Sequence, residues 1–543
     1  MDSGLLSSRP PSSVADRIAL VLADAGVEMV FGLPGGETLR LLTPLHRHGL
    51  QFYLTHHEAA AVYMAATVAR IQRGLGVALV TLGPGAANAV PGMAHAFLDR
   101  APVLLFSAQT AESASPVYTH QRLALEALFR PISKASATIT AENVEETLAQ
   151  AIDVAHSGRP GPVHLAVSHE SAGATAGAQQ SIAAVLPELA ARGPWQIEEA
   201  QRLLSQCQRP LIVAGLGLEP EAPYEELQEL AEQVQAPVVT TPKAKGALSD
   251  RHPLAAATIG LTMTDPGYAL LAETDCVLAI GLDVIELVRP WEVTAPLIWL
   301  APWPNVDPLI PAAAALVGSL RRGLKQLRET NCQPAPDWGR SAAARQKRLQ
   351  TQLPALPENG RAYPHQILSA VRDCTPPETQ VVVDVGAHKI LASLIWPALR
   401  PNRFHLSNGL SIMGYGLAGA VAAARCQKDL VVCLTGDGGL AMAVGELTGL
   451  TSGLNAPLVI IVFNDGALEL IRTKQELADM PELGTRFVNP NFSALASAYG
   501  LNYARASGYD TCAQALGHAR VSTVPTLLEA VIDPAGSSTA VPT

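Results

Sequence analysis

Residues 431–466 read VVCLTGDGGLAMAVGELTGLTSGLNAPLVIIVFNDG. Two apolar runs, Leu430 to Leu434 and Leu458 to Phe463, have the length and residue types of buried strands. Between them Leu440, Val444, Leu447 and Leu450 recur at helical spacing. Strand, turn, helix, strand is a unit whose two strands lie parallel in one sheet. Asp437 follows the first strand and Asn464 ends the second, 27 positions apart (464 − 437). Both therefore stand at the carboxyl edge, where open α/β sheets bind ligands. Gly436, Gly438 and Gly439 let the backbone approach a phosphate, and the helix that follows offers free N–H groups and a positive dipole end. Asp437 gives a hard anionic oxygen, Asn464 a neutral amide oxygen, and the Gly466 carbonyl a third. Three oxygens on one side of a small cation leave room for phosphate oxygens and water, the octahedral habit of Mg2+. The same residues also suit a turn that only caps a helix. Asn464-Asp465-Gly466 after a second buried strand favours a Mg2+-anchored diphosphate.

Composition narrows the class. The chain has 543 residues, 48% hydrophobic and 16% charged, enough for three cores. Its net charge of −10 and lack of a basic tract argue against nucleic acid as a partner. Seven cysteines without paired spacing read as reduced thiols of a cytoplasmic protein. No apolar run has transmembrane length and the start lacks a signal-peptide core, so no membrane partner is expected. The first dozen residues are Ser/Pro-rich.

Strands alternate with helices along most of the chain, which predicts an α/β protein of three doubly wound parallel-sheet domains, at residues 1–175, 190–330 and 360–535. Between them lie an Ala/Gly/Ser/Gln-rich connection at 176–190 and a polar, proline-containing linker at 330–360, read as a helix crossing between domains. In the first domain Glu58 opens a helix flanked by Ala59, Ala60 and Ala61. A carboxyl there is desolvated, which favours its protonated form, as acid/base work near neutrality needs. It also suits the positive end of the helix dipole. In the second domain Gly215-Leu216-Gly217 follows a strand, but the third glycine and helix start of a dinucleotide turn are missing.

With Gly-Asp-Gly at 436–438 and Asn464 some 27 residues on, the chain resembles the thiamine diphosphate enzymes, in particular the acetohydroxyacid synthase / benzoylformate decarboxylase branch, from about Val14 to about Asp533. The resemblance implies a first domain that binds the pyrimidine, a central domain, and a third domain that binds the diphosphate with Mg2+. His57-Glu58 before an Ala-rich helix matches the segment whose Glu drives the aminopyrimidine tautomer that removes the cofactor's C2 proton. By the same match Gly83 and Asn88 lie beside the pyrimidine, and Ala387 and His388 touch the diphosphate. Ser411 offers its carbonyl to the 4′-amino group, and Met413 bends the cofactor from beneath, although read locally Met413 is core filler. Ala467 and Leu468 extend the cofactor contacts. Leu33, Gly36, His120, Gln121 and Lys474 match pocket positions.

Several of these depart from relatives. His120 replaces Phe and gives the pocket a polar wall. Lys474 replaces a Trp that helps choose the acceptor, and reads equally as a solvated helix residue. Gly36 and Thr81 stand where the decarboxylase branch carries Ser and His. The synthase-like layout implies decarboxylation of a 2-oxo acid followed by carboligation to an aldehyde or second 2-oxo acid, with simple decarboxylation as the alternative. The central domain makes no positive case for FAD. In the family the first and third domains that share a cofactor come from different subunits, so a homodimer is the minimum and a homotetramer is expected.

Overall fold

The computed structural model describes residues 12–533 except 112, 114–116, 118, 178–192, 220, 263–264 and 351–360. Within them, six strands form a first sheet: β1 Met29–Leu33, β2 Gln51–Leu54, β3 Gly76–Val80, β4 Val103–Gln109, β5 Ala135–Ile139 and β6 Val163–Ser168. A second sheet holds β7 Pro210–Ala214, β8 Val238–Thr240, β9 Ala255–Thr258, β10 Cys276–Ile280, β11 Leu297–Ala301 and β12 Ala314–Val317. The third holds β13 Gln380–Val383, β14 Phe404–Leu406, β15 Val431–Gly436, β16 Leu458–Asn464, β17 Asn502–Ala506 and β18 Thr526–Val531. Every ladder is parallel. Helices cover both faces, so central strands such as β15 and β16 are buried almost throughout and read as unbroken apolar runs rather than alternating ones.

The strand orders decide where ligands can go. The first sheet runs β2-β1-β3-β4-β6-β5 and the third β14-β13-β15-β16-β18-β17, the same order in both. In each, the chain reverses direction of travel between its first and third strands, opening a crevice at the carboxyl edge. The second sheet runs β12-β11-β10-β7-β8-β9, the order of dinucleotide-binding folds, with its crevice between β7 and β10. The chain divides into two compact units, Met1–Glu188 with the first sheet and Leu189–Thr543 with the other two.

Local sequence explains the element ends. Ser13 caps the helix Val14–Asp24 reciprocally with Asp16, and Gly26 follows at φ +79°, a left-handed turn that suits glycine. The segment expected to be one helix between β15 and β16 is an α-helix only over Asp437–Ala443 and then a 3-10 helix over Val444–Thr451. Val444, Leu447 and Leu450 are three apart, the 3-10 period, and the tighter winding buries Leu447 and Leu450 together. The described part of the 330–360 linker is a helix, Trp338–Gln350. It packs on the second sheet's core through Trp338, Ala342 and Ala343, with Trp338 Nε1 donating to the Pro210 carbonyl at 2.8 Å. Most of the first linker and the Ser/Pro-rich start lie outside the described residues. Among the described residues no helix is long and apolar enough to cross a membrane.

Candidate active site

A cavity of about 170 Å3 opens at the crevice of the third sheet. It brings together Ala387 and His388 from the helix after β13, Met413 from the turn before the helix Tyr415–Cys426, Gly436–Gly439 after β15, and Ala467 and Leu468 after β16. The glycines are fixed by space. A Cβ on Gly439 would stand 2.4 Å from Asp384 Oδ2, and one on Gly436 3.3 Å from His388 Cε1. On Gly438 it would meet Leu468 Cδ2 at 3.1 Å and Met413 Cε at 3.5 Å. The turn is thus a bare-backbone cradle between side chains.

At the rim of that cradle stands an oxygen set. Asp437 Oδ2 accepts from the Gly466 N–H at 2.8 Å and from Asn489 Nδ2 at 2.6 Å, while Oδ1 takes the Gly438 N–H at 2.8 Å. The same Asn489 Nδ2 reaches Asn464 Oδ1 at 2.9 Å, so one amide group spans the gap between the two predicted metal-binding oxygens. Gly466 offers its N–H to Asp437, and its carbonyl accepts from the Phe487 N–H at 3.1 Å, keeping one lone pair for a further partner. Asp465 lies beside Asp437, and burial followed by the Asp437 charge pushes it up to about 7. Two neighbouring carboxyls, an amide oxygen and a carbonyl are donors for a hard divalent cation.

Next to them, His388 stacks on Phe463 with ring centroids 5.4 Å apart, and its buried Nε2 has no hydrogen-bond partner among the described residues. Burial pushes the imidazole down to about 4. An orphaned polar atom in a glycine-lined groove beside that oxygen set fits a diphosphate oxygen. Lys389 is buried and donates to the Ser407 carbonyl and to Ser411 Oγ, both at 2.9 Å. That clamp holds Ser411 at φ +54°, a left-handed backbone unusual for serine. Lys474, expected at the pocket, is exposed on the helix Glu469–Leu477, and the groove is lined instead by Glu469, Leu470 and Ile471 of the first turn.

In the first unit the other predicted residues gather at the carboxyl edge of the first sheet. Glu58 opens the helix Glu58–Gln72, buried, with the capping His57 Nδ1 accepting from the Ala59 N–H. Its Oε2 accepts from Asn88 Nδ2 at 3.1 Å, so the two residues matched to the pyrimidine meet. A Cβ on Gly85 would stand 3.4 Å from Glu58 Oε1. Gly83, at φ +60°, abuts Gln121, itself at φ +56°. Gln121 lines a cavity of about 500 Å3 with Arg122, Glu126 and Arg130. Leu33 ends β1 half-buried, Gly36 is exposed, and His120 is exposed beside Gln121. Thr81, where the decarboxylase branch carries His, donates to Glu37 at 3.0 Å.

The central crevice is filled from within. Glu286 Oε2 accepts from the Leu216 N–H at 3.0 Å and the Asp283 N–H at 3.2 Å, and Oε1 accepts from Thr241 Oγ1. A Cβ on Gly215 would stand 2.6 Å from that carboxyl, and one on Gly217 2.8 Å from the Trp303 ring. The turn amide that a dinucleotide fold would offer a phosphate is capped by the protein's own carboxyl.

Four functional neighbours escaped the sequence reading. Asp384, wholly buried, takes the Val385 and Gly414 N–H groups and the Thr435 hydroxyl, tying β13 to β15 at the crevice. Asn489, Lys389 and Glu529 are the others. Only Asp384 and Glu529 left a signal, each a carboxyl in an otherwise apolar strand run, VVVD and TLLEAV.

Comparison with known proteins gives three family models in chain order. They are the thiamine pyrophosphate enzyme N-terminal TPP binding domain at residues 12–128, the central domain at 197–327 and the C-terminal TPP binding domain at 384–530. A probable acetolactate synthase large subunit of Methanocaldococcus jannaschii is 30% identical over 97% of this chain and 93% of its own. The acetolactate synthase isozyme 2 large subunit of Escherichia coli is 30% identical over 96% and 95%. A probable 2-ketoarginine decarboxylase of Pseudomonas aeruginosa is 31% identical over 91% and 90%.

Proposed function

The chain belongs to the thiamine pyrophosphate enzymes, of the acetohydroxyacid synthase type, and from that premise we propose that it decarboxylates a 2-oxo acid and joins the remaining acyl fragment to a second carbonyl. The observation that carries the reading is the groove of the third sheet, where a glycine cradle, the orphaned His388 Nε2 and the Asp437–Asn464 oxygen pair meet. Thiamine diphosphate, when bound, supplies the nucleophilic carbon and the electron sink that CO2 loss requires. The chain's own residues bind, orient and move protons. Asp437, Asn464 and the Gly466 carbonyl would hold Mg2+. His388 and the N–H groups opening the helix Asp437–Ala443 would hold the diphosphate, with Ala387, Ala467 and Leu468 lining the same groove. Met413 would support the cofactor, and the Ser411 carbonyl would accept a hydrogen bond from its amino group. Glu58, kept dry and oriented by Asn88, holds and returns the proton of the pyrimidine ring. Gln121, with Leu33, Gly36 and His120, forms the substrate wall.

In this reading Glu58 of one chain serves Asp437 of another, in a homodimer at least and a homotetramer as two such dimers. The same reading takes a pyrimidine-binding domain at 1–175, a central domain at 190–330 and a diphosphate-binding domain at 360–535. Simple decarboxylation to an aldehyde is the second reading, supported by the similarity to the probable 2-ketoarginine decarboxylase. Mass spectrometry of products from a panel of 2-oxo acids, alone and with aldehydes, decides. A C–C-joined product formed only with thiamine diphosphate and Mg2+ supports the main reading, and aldehyde alone supports the second. No CO2 from any 2-oxo acid refutes both.

A further inference from the structure

Glu529 is a carboxyl in an apolar strand, Thr526–Val531, nine-tenths hidden from solvent. Such a group persists only where its oxygens are used. The parallel register pairs Glu529 with Val462, two residues before Asn464 on β16. Glu529 and Asn464 therefore face the same side of the sheet, Glu529 lying one step further from the carboxyl edge. Asn464 Nδ2 donates to Glu529 Oε1 at 2.7 Å. From β17, Tyr503 is paired with Leu527, which puts it on that face too, and its hydroxyl donates to Glu529 Oε2 at 2.5 Å. Burial, then the hydrogen bond to Glu529, pushes the Tyr503 phenol up to about 12, so it stays a donor.

The geometry fixes a choice that asparagine cannot make alone. Its amide has nearly the same shape either way round, yet only the oxygen can face a cation. A carboxylate accepts and cannot donate, so Glu529 compels Asn464 to turn its NH2 inward and Oδ1 outward, where Oδ1 meets the Asn489 amide beside Asp437. Resting on the Mg2+ reading above, we propose that Glu529, held by Tyr503, is a positioning residue that sets the Asn464 amide with its oxygen toward the cation, and so sets the divalent affinity of the site.

The test uses Mn2+ with thiamine diphosphate on the full chain, bound ion being read by electron paramagnetic resonance, with thermal denaturation of the cofactor-free protein confirming folding. Partners that orient a metal ligand are worth about 10–100-fold in affinity, and E529M, which keeps the shape and loses the acceptor, is expected to lose that much. E529Q can keep its oxygen toward Asn464 and its NH2 toward the Tyr503 oxygen, and should stay within about threefold of wild type. N464D presents an oxygen whichever way it turns. In the Glu529 background it sets two carboxyls against each other and weakens binding, whereas N464D/E529M should bind more tightly than E529M alone. Wild-type affinity in E529M, or a double variant no better than E529M, overturns the proposal. Should E529M not fold, E529L takes its place with the same expected loss, and wild-type affinity there overturns the proposal. A wild type that takes up no Mn2+ overturns the metal reading itself and this proposal with it, whereas an indifferent E529M overturns this proposal alone.

Discussion

Glu286→Gln probes the filled crevice of the central sheet. Glu286 is wholly buried, and burial pushes its carboxyl from 4.5 up to about 7. The unfolded chain gives up this proton near pH 4.5 and the folded one only near 7, so the folded state loses stability as pH rises through that window and changes little above it. Between about pH 5.5 and about pH 8 the loss works out at about 2 kcal/mol. Two buried histidines act in the opposite sense. His164, held down at about 3, and His388, at about 4, stay neutral when folded, and each favours the folded state as pH rises toward 6.5. The raw pH profile therefore mixes both signs, and only the difference between variant and wild type isolates Glu286. The glutamine of the variant keeps an acceptor for the Leu216 and Asp283 N–H groups and turns its NH2 to Thr241 Oγ1. Of the six tryptophans, Trp195, Trp291, Trp299, Trp303 and Trp338 lie in or beside the second sheet, so denaturant unfolding followed by tryptophan fluorescence reports on it. Relative to wild type, E286Q should gain about 2 kcal/mol on going from the lower to the higher pH. An offset that does not change with pH would refute the assignment of a neutral carboxylic acid to this crevice.

The cradle gives a paired prediction for soluble yield and denaturation midpoint. Gly439→Ala drives a methyl into the Asp384 carboxyl and should cost about 3 kcal/mol or more through crowding and loosened hydrogen bonds, whereas Gly436→Ala should cost about 1 kcal/mol or less because the His388 ring can shift. His388→Leu removes an orphaned Nε2 together with the ring's hydrogen bond to the Asp384 backbone, two opposed effects, so the cofactor-free melting temperature should change little, while calorimetry finds thiamine diphosphate bound about tenfold more weakly or worse. Glu58→Gln, which can keep its bond to Asn88, should lower CO2 release by about 100-fold or more with cofactor affinity within about threefold of wild type. Mixing inactive Glu58→Gln with inactive Asp437→Ala after subunit exchange should restore part of the activity, and a mixture as inactive as its parts would argue against sites shared between chains.

The core of the site was legible because its chemistry is written in residues close to strand ends. Asp437, Gly436–Gly439 and Asn464 each sit where a buried run stops, and a parallel sheet sends all such stops to one edge. What lay hidden depends on contacts with no local period. Asn489 arrives from a loop 25 residues past Asn464, and nothing in the sequence near 489 tells which carboxyl it will meet. Lys389 looks like a surface cation until the fold buries it against Ser407 and Ser411. Lys474 carried two readings, pocket cation or solvated helix residue, because a helix period alone does not tell which face a helix turns to a site; the fold leaves it exposed on the helix Glu469–Leu477. The break into a 3-10 helix after Ala443 was visible as a spacing of three, yet a spacing of three also fits an α-helix over so short a span.

The identical strand order of the first and third sheets makes their helix starts comparable position by position. After the third strand of the first sheet the helix begins Gly83-Pro84-Gly85, and after the corresponding strand of the other it begins Gly436-Asp437-Gly438. The strand order is used twice, and the first helical residue is one of the points at which the two uses part. Proline has no N–H to give an anion and no oxygen on its side chain to give a metal, so Pro84 offers a charged group nothing. Aspartate at the same rung converts the helix start into a mooring for charge. Under the proposed function, two copies of one strand order would hold the two ends of the ligand, and the residue at that rung is one of the differences that suits each copy to its end.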